Sequence, residues 1–105
     1  MRPSFAVEES VRTLGLNIKS ARLRRRLPQS AVAERAGISM NTLSKIENGD
    51  CGVSIGNIAA VLQAIGLGSP LSDVAAASAD EAGLMLEEKR LPRRIRTRKT
   101  EKQQI

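Results

Sequence analysis

Residues 29–49, QSAVAERAGISMNTLSKIENG, decide the fold of this chain. They predict two short helices joined by a tight turn at Gly37 and Ile38. Ser39 is a favourable N-cap for the second helix, because its hydroxyl can accept a free N–H of the first turn. Gly49 suits the end of that helix, since glycine adopts a left-handed backbone at low cost. The segment therefore predicts a helix-turn-helix hairpin.

The apolar residues of the hairpin are spaced for two helices that pack against each other. Val32 and Ala36 are four residues apart, and Leu43 and Ile46 are three apart. Such spacings place side chains on one helical face. The second helix is left with an outer face of Met40, Asn41, Ser44, Lys45 and Asn48. A face rich in hydrogen-bonding groups suits a helix that enters the DNA major groove and contacts base edges.

The hairpin resembles the helix-turn-helix of the Cro/C1-repressor (XRE) family. The residues that carry the resemblance are Gln29, Ala33, Gly37, Ile38, Ser39, Thr42, Leu43, Ser44, Ile46, Glu47 and Gly49. It extends over about residues 14–71, more than half of the chain. The resemblance implies an all-α fold with a five-helix, lambda-repressor-like DNA-binding domain. The alternative is an ordinary helical hairpin in a small α domain.

The side chains of the second hairpin helix suggest how DNA would be contacted. Asn41 can pair bidentately with adenine, Lys45 can donate to guanine acceptors, and Met40 can pack on a thymine methyl group. The other polar residues are assigned to the DNA backbone, where contacts position the protein without specifying sequence. These residues are Ser39, Thr42, Ser44 and Asn48. For each of them the alternative is a solvated polar side chain.

The resemblance assigns roles to three further residues. It implies that Gln29 contacts a phosphate and steadies the second hairpin helix. It also implies that Arg22 pairs with Glu47, as the matching residues commonly do in the family. Such a pair is physically reasonable, because an acid on a DNA-reading helix repels phosphates unless it is turned inward and neutralised. We therefore predict a structural Arg22–Glu47 ion pair.

Two residues before the hairpin depart from the family pattern. Arg26 stands where glycine is common, and Pro28 stands where a serine or threonine cap is common. Pro28 still suits the start of a helix, since the first turn needs no N–H there. The departure puts in doubt a hydroxyl contact to phosphate at this point, and leaves the fold prediction intact.

Helical patterns extend the predicted DNA-binding domain over residues 10–77, after a flexible arm at 1–9. The apolar residues follow helical spacing in the segments on either side of the hairpin. In addition to the helix that Ser39 begins, the predicted helices cover about residues 10–26, 29–36, 55–65 and 70–77.

The net charge of +6 is spread unevenly along the chain. Residues 1–28 have seven basic and two acidic side chains, and residues 89–105 have eight and one. Residues 29–88, which contain the hairpin, have only two basic side chains and eight acidic ones. Attraction to phosphates is therefore expected to come mostly from the first helix and the tail.

Several function classes are disfavoured by composition. Cys51 is the single cysteine and histidine is absent, so no internal disulfide and no multi-cysteine metal site are expected. The sequence has no glycine-rich phosphate loop, and Glu87 and Glu88 adjoin Lys89 and Arg90, which is typical of a solvated face. No apolar run approaches the roughly 20 residues of a membrane span, and no signal peptide is evident. We expect a cytoplasmic protein that is not an enzyme and needs no cofactor.

The tail, residues 78–105, is the second informative segment. Residues 80–90, DEAGLMLEEKR, fit a short helix or an extended segment, and Gly83 weakens the helix interpretation. Leu84, Met85 and Leu86 follow no clean period and are expected to meet a partner surface. Residues 93–104 are basic and almost without apolar side chains, so without a partner they would be disordered.

A helix-turn-helix unit followed by GLMLEEKRLPRR resembles HipB-type antitoxins, which pair with HipA-type kinase toxins. This resemblance implies a homodimer that represses its own operon and holds a kinase partner on double-stranded operator DNA. The alternative is a stand-alone XRE-family repressor with no toxin partner, whose tail is a nonspecific DNA-binding arm. A neighbouring gene for a kinase-like toxin would favour the antitoxin.

Overall fold

The computed structural model describes residues 2–90, except for the side chain of Arg90. Within this range all regular secondary structure is helical. The α-helices are α1 (Phe5–Arg24), α2 (Gln29–Ala36), α3 (Met40–Glu47), α4 (Ile55–Ala64) and α5 (Glu81–Arg90). Two short 3₁₀ helices, Pro70–Asp73 and Ala77–Ala79, lie between α4 and α5. The predicted all-α, five-helix fold class is confirmed, and the basic tail predicted beyond residue 90 lies outside the described residues.

The described residues divide into two compact units, one on each side of the boundary between residues 71 and 72. In the first unit, α2 packs against α3 and α4, and α1 packs against α3. In the second unit, α5 packs against the 3₁₀ helix Ala77–Ala79. The helix-turn-helix hairpin of α2 and α3 thus belongs to the first unit, where two further helices support it.

An aliphatic core holds the first unit together. All four of its helices contribute side chains that are less than a tenth exposed. Each buried Val, Leu or Ile side chain stabilises the fold by up to about 1.5–3 kcal/mol. These residues are Ile18, Ala21, Val32, Ala33, Leu43, Ile46, Val61, Leu62, Ala64 and Ile65. Leu43 and Ile46 bury the inner side of α3, as their three-residue spacing predicted.

The first helix begins earlier than the sequence pattern predicted, at Phe5 instead of Ser10. Ser4 caps it, because its side chain accepts the backbone N–H of Val7 at 3.2 Å. The apolar pattern missed these turns because Phe5 and Val7 remain exposed and so add nothing to the buried stripe. Residues 5–9 therefore belong to α1.

The helix predicted over residues 70–77 is wrong. Only the short 3₁₀ helix Pro70–Asp73 forms there, and Ala75 has a left-handed backbone with φ of 64° that interrupts any longer helix. Leu71 packs against the core, but Val74 is 68 % exposed. A helix at this position would have almost no buried face to stabilise it.

The fifth α-helix forms further along the chain, over residues that the sequence left undecided. The Asp80 carboxylate accepts the backbone N–H of Gly83 at 3.1 Å and so caps the start of α5. The helix therefore forms despite Gly83, because a charged N-cap stabilises its first turn.

Helices α1 to α4 all end with the same backbone arrangement. A left-handed residue donates its N–H to the carbonyl three residues back, and the next residue donates to the carbonyl five residues back. Glycine occupies the left-handed position after α2, α3 and α4, at Gly37, Gly49 and Gly66, with φ of 75°, 79° and 92°. After α1 the position is occupied by Arg26, with φ of 55°.

Within residues 2–90, no helix combines the length and the apolar character that a membrane crossing requires.

Candidate nucleic-acid interface

Helix α3 has a buried side and an outward side. Leu43, Ile46 and Glu47 are buried. Asn41, Lys45 and Asn48 are exposed, and their spacings of four and three residues place them on one outward face. Met40, at the N-terminal end of the helix, is half exposed. The outward side therefore offers amide and ammonium donors to whatever α3 meets.

Ser39 and Thr42 fix the start of α3. The Ser39 hydroxyl oxygen accepts the Thr42 backbone N–H at 3.0 Å, as the N-cap prediction required. The same hydroxyl donates to Thr42 Oγ1 at 3.0 Å. Since Thr42 Oγ1 accepts that bond, its own hydroxyl hydrogen stays available for an external acceptor such as a phosphate oxygen.

The inner side of α3 is tied to α1 by a buried ion pair. Arg22 Nε donates to Glu47 Oε2 at 2.7 Å, and Arg22 Nη2 donates to Glu47 Oε1 at 3.1 Å. The two side chains are 8 % and 3 % exposed. Arg22 Nη1 also donates to the Leu27 carbonyl at 2.9 Å. This forked geometry turns the acid of α3 away from the outward face and neutralises it.

Gln29 joins the start of α2 to the same pair. Its Nε2 donates to Glu47 Oε1 at 3.1 Å and to Ser44 Oγ at 3.4 Å. Both amide hydrogens are thus directed at α3, which steadies that helix. A phosphate contact by Gln29 remains a prediction, and it would use the backbone N–H at the helix start, where Pro28 supplies no side-chain cap.

Two glycines allow α1 to lie close against the end of α3. A Cβ atom on Gly15 would lie 2.5 Å from the Ile46 carbonyl oxygen, and a Cβ atom on Gly49 would lie 2.7 Å from the Arg12 Cα. The sequence identified Gly49 as a helix end but missed Gly15. A glycine inside a helical pattern signals a packing constraint, but its partner on α3 is distant in sequence.

Several cations of the first unit have structural partners. Arg22 is buried with Glu47, and Arg35 Nη1 donates to the Ala64 carbonyl at the end of α4, at 3.1 Å. Arg25 Nη1 donates to the carbonyl of its own helix at Ala21, at 3.0 Å. Lys45, on α3, is exposed.

The end of α1 adds two more exposed cations. The side chains of Arg24 and Arg26 make no hydrogen bond or ion pair with the described part of the chain, and both are exposed. Together with Lys45 on α3, they are available to attract phosphates.

A shallow polar depression of about 370 Å³ lies beside the outward face of α3. Thr42, Lys45 and Asp50 line one part of it, and Ser54 and Asn57 at the start of α4 line another. The Asp50 carboxylate accepts the Gly52 N–H at 2.7 Å, which shapes the loop. Sequence reasoning missed Asn57, because nothing in the local pattern places the start of α4 next to α3.

A family model described as a helix-turn-helix domain matches residues 13–76, more than half of the chain. The match includes all of α2, α3 and α4 and most of α1. Neither a search of curated proteins nor a search of solved structures finds a match. The chain therefore belongs to the helix-turn-helix domain family of DNA-binding proteins.

Proposed function

We propose that this protein is a sequence-specific transcriptional repressor of the Cro/C1 (XRE) type, which inserts α3 into the major groove of operator DNA. One observation carries the proposal: α3 is fixed on its inner side by the Arg22–Glu47–Gln29 contacts and exposes Asn41 and Lys45 on its outer side. A helix held in this way loses little further freedom on binding, which favours affinity.

In this proposal the outward residues of α3 divide into two groups. Asn41, Lys45 and Met40 contact base edges, since an amide pairs with adenine, an ammonium donates to guanine, and an apolar side chain packs on a thymine methyl group. The contacts to the DNA backbone come from Thr42, Ser44 and Asn48 with Gln29, and Ser39 supports them by donating its hydroxyl hydrogen to Thr42 Oγ1. The free hydroxyl hydrogen of Thr42 and the free N–H groups at the start of α2 support that assignment.

We further propose that the repressor acts as a homodimer. A two-fold dimer would place two copies of α3 about 34 Å apart on one face of the duplex, one helical turn of DNA. The first unit is small, at 71 residues, and domains of this size gain stability from association.

Selection of binding sites from a random duplex library tests the repressor function, and the operator sequence need not be known in advance. The expected result is an enriched motif with two-fold symmetry, whose half-sites are centred about 10 base pairs apart. Enrichment of an asymmetric single site would reject the homodimer but would still support base-edge contacts by α3. A library that stays random after repeated rounds would reject sequence-specific repression.

A more specific function is the antitoxin of a HipA-type kinase. It is supported by the exposed apolar side chains of α5: Leu84, Met85 and Leu86 are 43 %, 58 % and 59 % exposed. Three adjacent apolar side chains on a helix that also carries charged residues are suited to a protein partner. The alternative is a repressor with no toxin partner.

Co-expression with a HipA-type kinase encoded beside the gene separates these two functions. The antitoxin proposal predicts that the kinase copurifies after nuclease treatment, and that Met85→Glu abolishes copurification. Asn41→Ala is the matched control, because it alters α3 and leaves α5 unchanged. Kinase that is released by nuclease would favour the stand-alone repressor. Kinase that is retained equally by Met85→Glu would reject α5 as its binding surface.

A further inference from the structure

Arg26 occupies a backbone position that the rest of the first unit gives to glycine. It ends α1 with the same pair of backbone hydrogen bonds that Gly37, Gly49 and Gly66 provide after the other helices. A left-handed conformation places the Cβ of an ordinary residue too close to the following carbonyl oxygen. Arginine at this position therefore lowers the stability of the fold relative to glycine.

The side chain of Arg26 makes no contact within the described chain that would offset this loss of stability. It is exposed and makes no hydrogen bond or ion pair with residues 2–90. By contrast, neighbouring Arg25 donates to the Ala21 carbonyl and Arg22 is paired with Glu47. The guanidinium of Arg26 is thus left for a ligand outside the described chain.

The backbone beside Arg26 is connected to α3. The next carbonyl, that of Leu27, accepts a hydrogen bond from Arg22, which is paired with Glu47 on α3. The chain then enters α2 through Pro28, which leaves the first N–H groups of that helix without a side-chain cap. Arg26 is therefore held at the same end of the hairpin as the start of α2.

The charge near α3 makes an added cation valuable. Residues 29–71 carry only two basic side chains, and one of them, Arg35, is bound to the Ala64 carbonyl. The loop after α3 carries Asp50 and no basic residue up to Ser54. Since phosphate attraction dominates DNA affinity, a cation beside the hairpin adds to the single exposed lysine of α3, Lys45.

We propose that Arg26 binds a DNA phosphate beside the start of α2, and that its left-handed backbone is a loss of stability retained for this contact. The inference rests on the proposed DNA-binding function. It adds to that function a residue that lowers the stability of the fold and raises the affinity for DNA. Substitution by glycine should therefore move the two properties in opposite directions.

The test measures thermal stability and the salt dependence of DNA affinity for the full chain and for Arg26→Gly. The expected result is a melting temperature higher by about 4 °C together with a severalfold weaker affinity for a duplex selected by the wild-type chain. The slope of log affinity against log salt should fall by about 0.9, the value for one lost phosphate contact. Arg26→Lys should retain most of the slope.

Two control variants distinguish the effect of a strained backbone from the effect of a lost positive charge. Ala75→Gly relieves a left-handed backbone with φ of 64° at an exposed residue that carries no charge, so it should raise the melting temperature and leave the salt slope unchanged. Arg24→Gln removes the same charge from an exposed residue at the end of α1, and it should reduce the slope less than Arg26→Gly does.

Two outcomes would overturn the inference. One is an unchanged salt slope for Arg26→Gly, and the other is an equal loss for Arg24→Gln, which would indicate a diffuse field instead of a contact. Both outcomes leave the proposed function in place, because the wild-type chain still binds its selected duplex. Failure of the wild-type chain to bind any duplex would reject the proposed function and the inference with it.

Discussion

At the scale of single residues, the outward face of α3 depends on the placement of one acid, Glu47. Glu47 lies on α3, within a segment that is already acidic, and an exposed carboxylate there would repel phosphates. Arg22 and Gln29 hold it in the interior with three hydrogen bonds of 2.7 to 3.1 Å. The same contacts fix α3 relative to α1 and α2, so one buried pair serves both electrostatics and position.

Removal of one member of this pair should be more harmful than removal of both. Arg22→Met leaves the buried Glu47 carboxylate without its cation, which should lower the free energy of unfolding by about 3–5 kcal/mol. The double variant Arg22→Met, Glu47→Met should be less destabilised than Arg22→Met alone. Urea denaturation followed by circular dichroism measures all four proteins. Additive single effects would contradict a coupled pair.

The close approach at Gly15 gives a second prediction for a single residue. Gly15→Ala places a methyl group 2.5 Å from the Ile46 carbonyl oxygen, so it should destabilise the fold by about 1–3 kcal/mol through overpacking. Gly56→Ala is the matched control, because a Cβ atom there meets nothing within 4 Å and helix α4 should gain about 0.5–1 kcal/mol. If both alanine variants are stabilised in thermal unfolding, the close contact between α1 and α3 is wrong.

At the scale of elements, local pattern predicted the hairpin correctly because its signals are local. Ser39 caps α3, Gly37 and Gly49 take left-handed backbones, and Leu43 and Ile46 are buried. The start of α1 was predicted too late, because the exposed Phe5 and Val7 add nothing to the buried stripe. The Gly15 contact with α3 joins parts of the chain that are far apart in sequence, and no local pattern reports it.

In the segment after α4, a helix was predicted where no α-helix forms. A proline start and two apolar residues predicted a helix over residues 70–77, but only Leu71 finds a buried site. The helix that does form, α5, begins after Asp80, an N-cap that the sequence interpretation did not consider. Asp80 followed by Glu81 and Ala82 was the available signal for that start.

The cap of α5 can be tested by a single substitution. Asp80→Ala removes the acceptor for the Gly83 N–H, so α5 should lose about 1 kcal/mol of local stability. Amide hydrogen exchange over residues 81–90 measures this loss. Asp73→Ala is the control, since Asp73 caps none of the α-helices in the described range and should leave that exchange unchanged. Equal protection in both variants would reject the capping role of Asp80.

At the scale of the whole molecule, most of the positive charge and the proposed base-contacting helix lie in different segments of the chain. The hairpin carries the polar face of α3 but lies in an acidic stretch, and the basic side chains are concentrated in residues 1–28 and 89–105. Phosphate attraction is independent of base sequence, whereas base-edge contacts confer specificity. The chain is therefore expected to bind DNA through flanking charge and to select its site through α3.

Deletion of residues 93–105 tests the contribution of the basic tail. This segment has six basic side chains and one acidic side chain, so its removal should make the salt dependence of DNA affinity shallower, because fewer counterions are released. Affinity for selected and random duplexes should fall by the same factor. An unchanged salt slope would indicate that the tail does not contact DNA and is available to a protein partner.

The most direct measurement for the central claim, that α3 reads base edges, compares Asn41→Ala and Lys45→Ala on a selected duplex and on a scrambled one. Asn17→Ala and Lys19→Ala are matched controls, since they remove the same side chains from exposed sites on α1. We predict that each α3 variant loses about 1–3 kcal/mol of binding free energy on the selected duplex. On the scrambled duplex, each α3 variant should lose no more binding free energy than its control variant on α1. Equal losses on both duplexes would contradict base reading by α3.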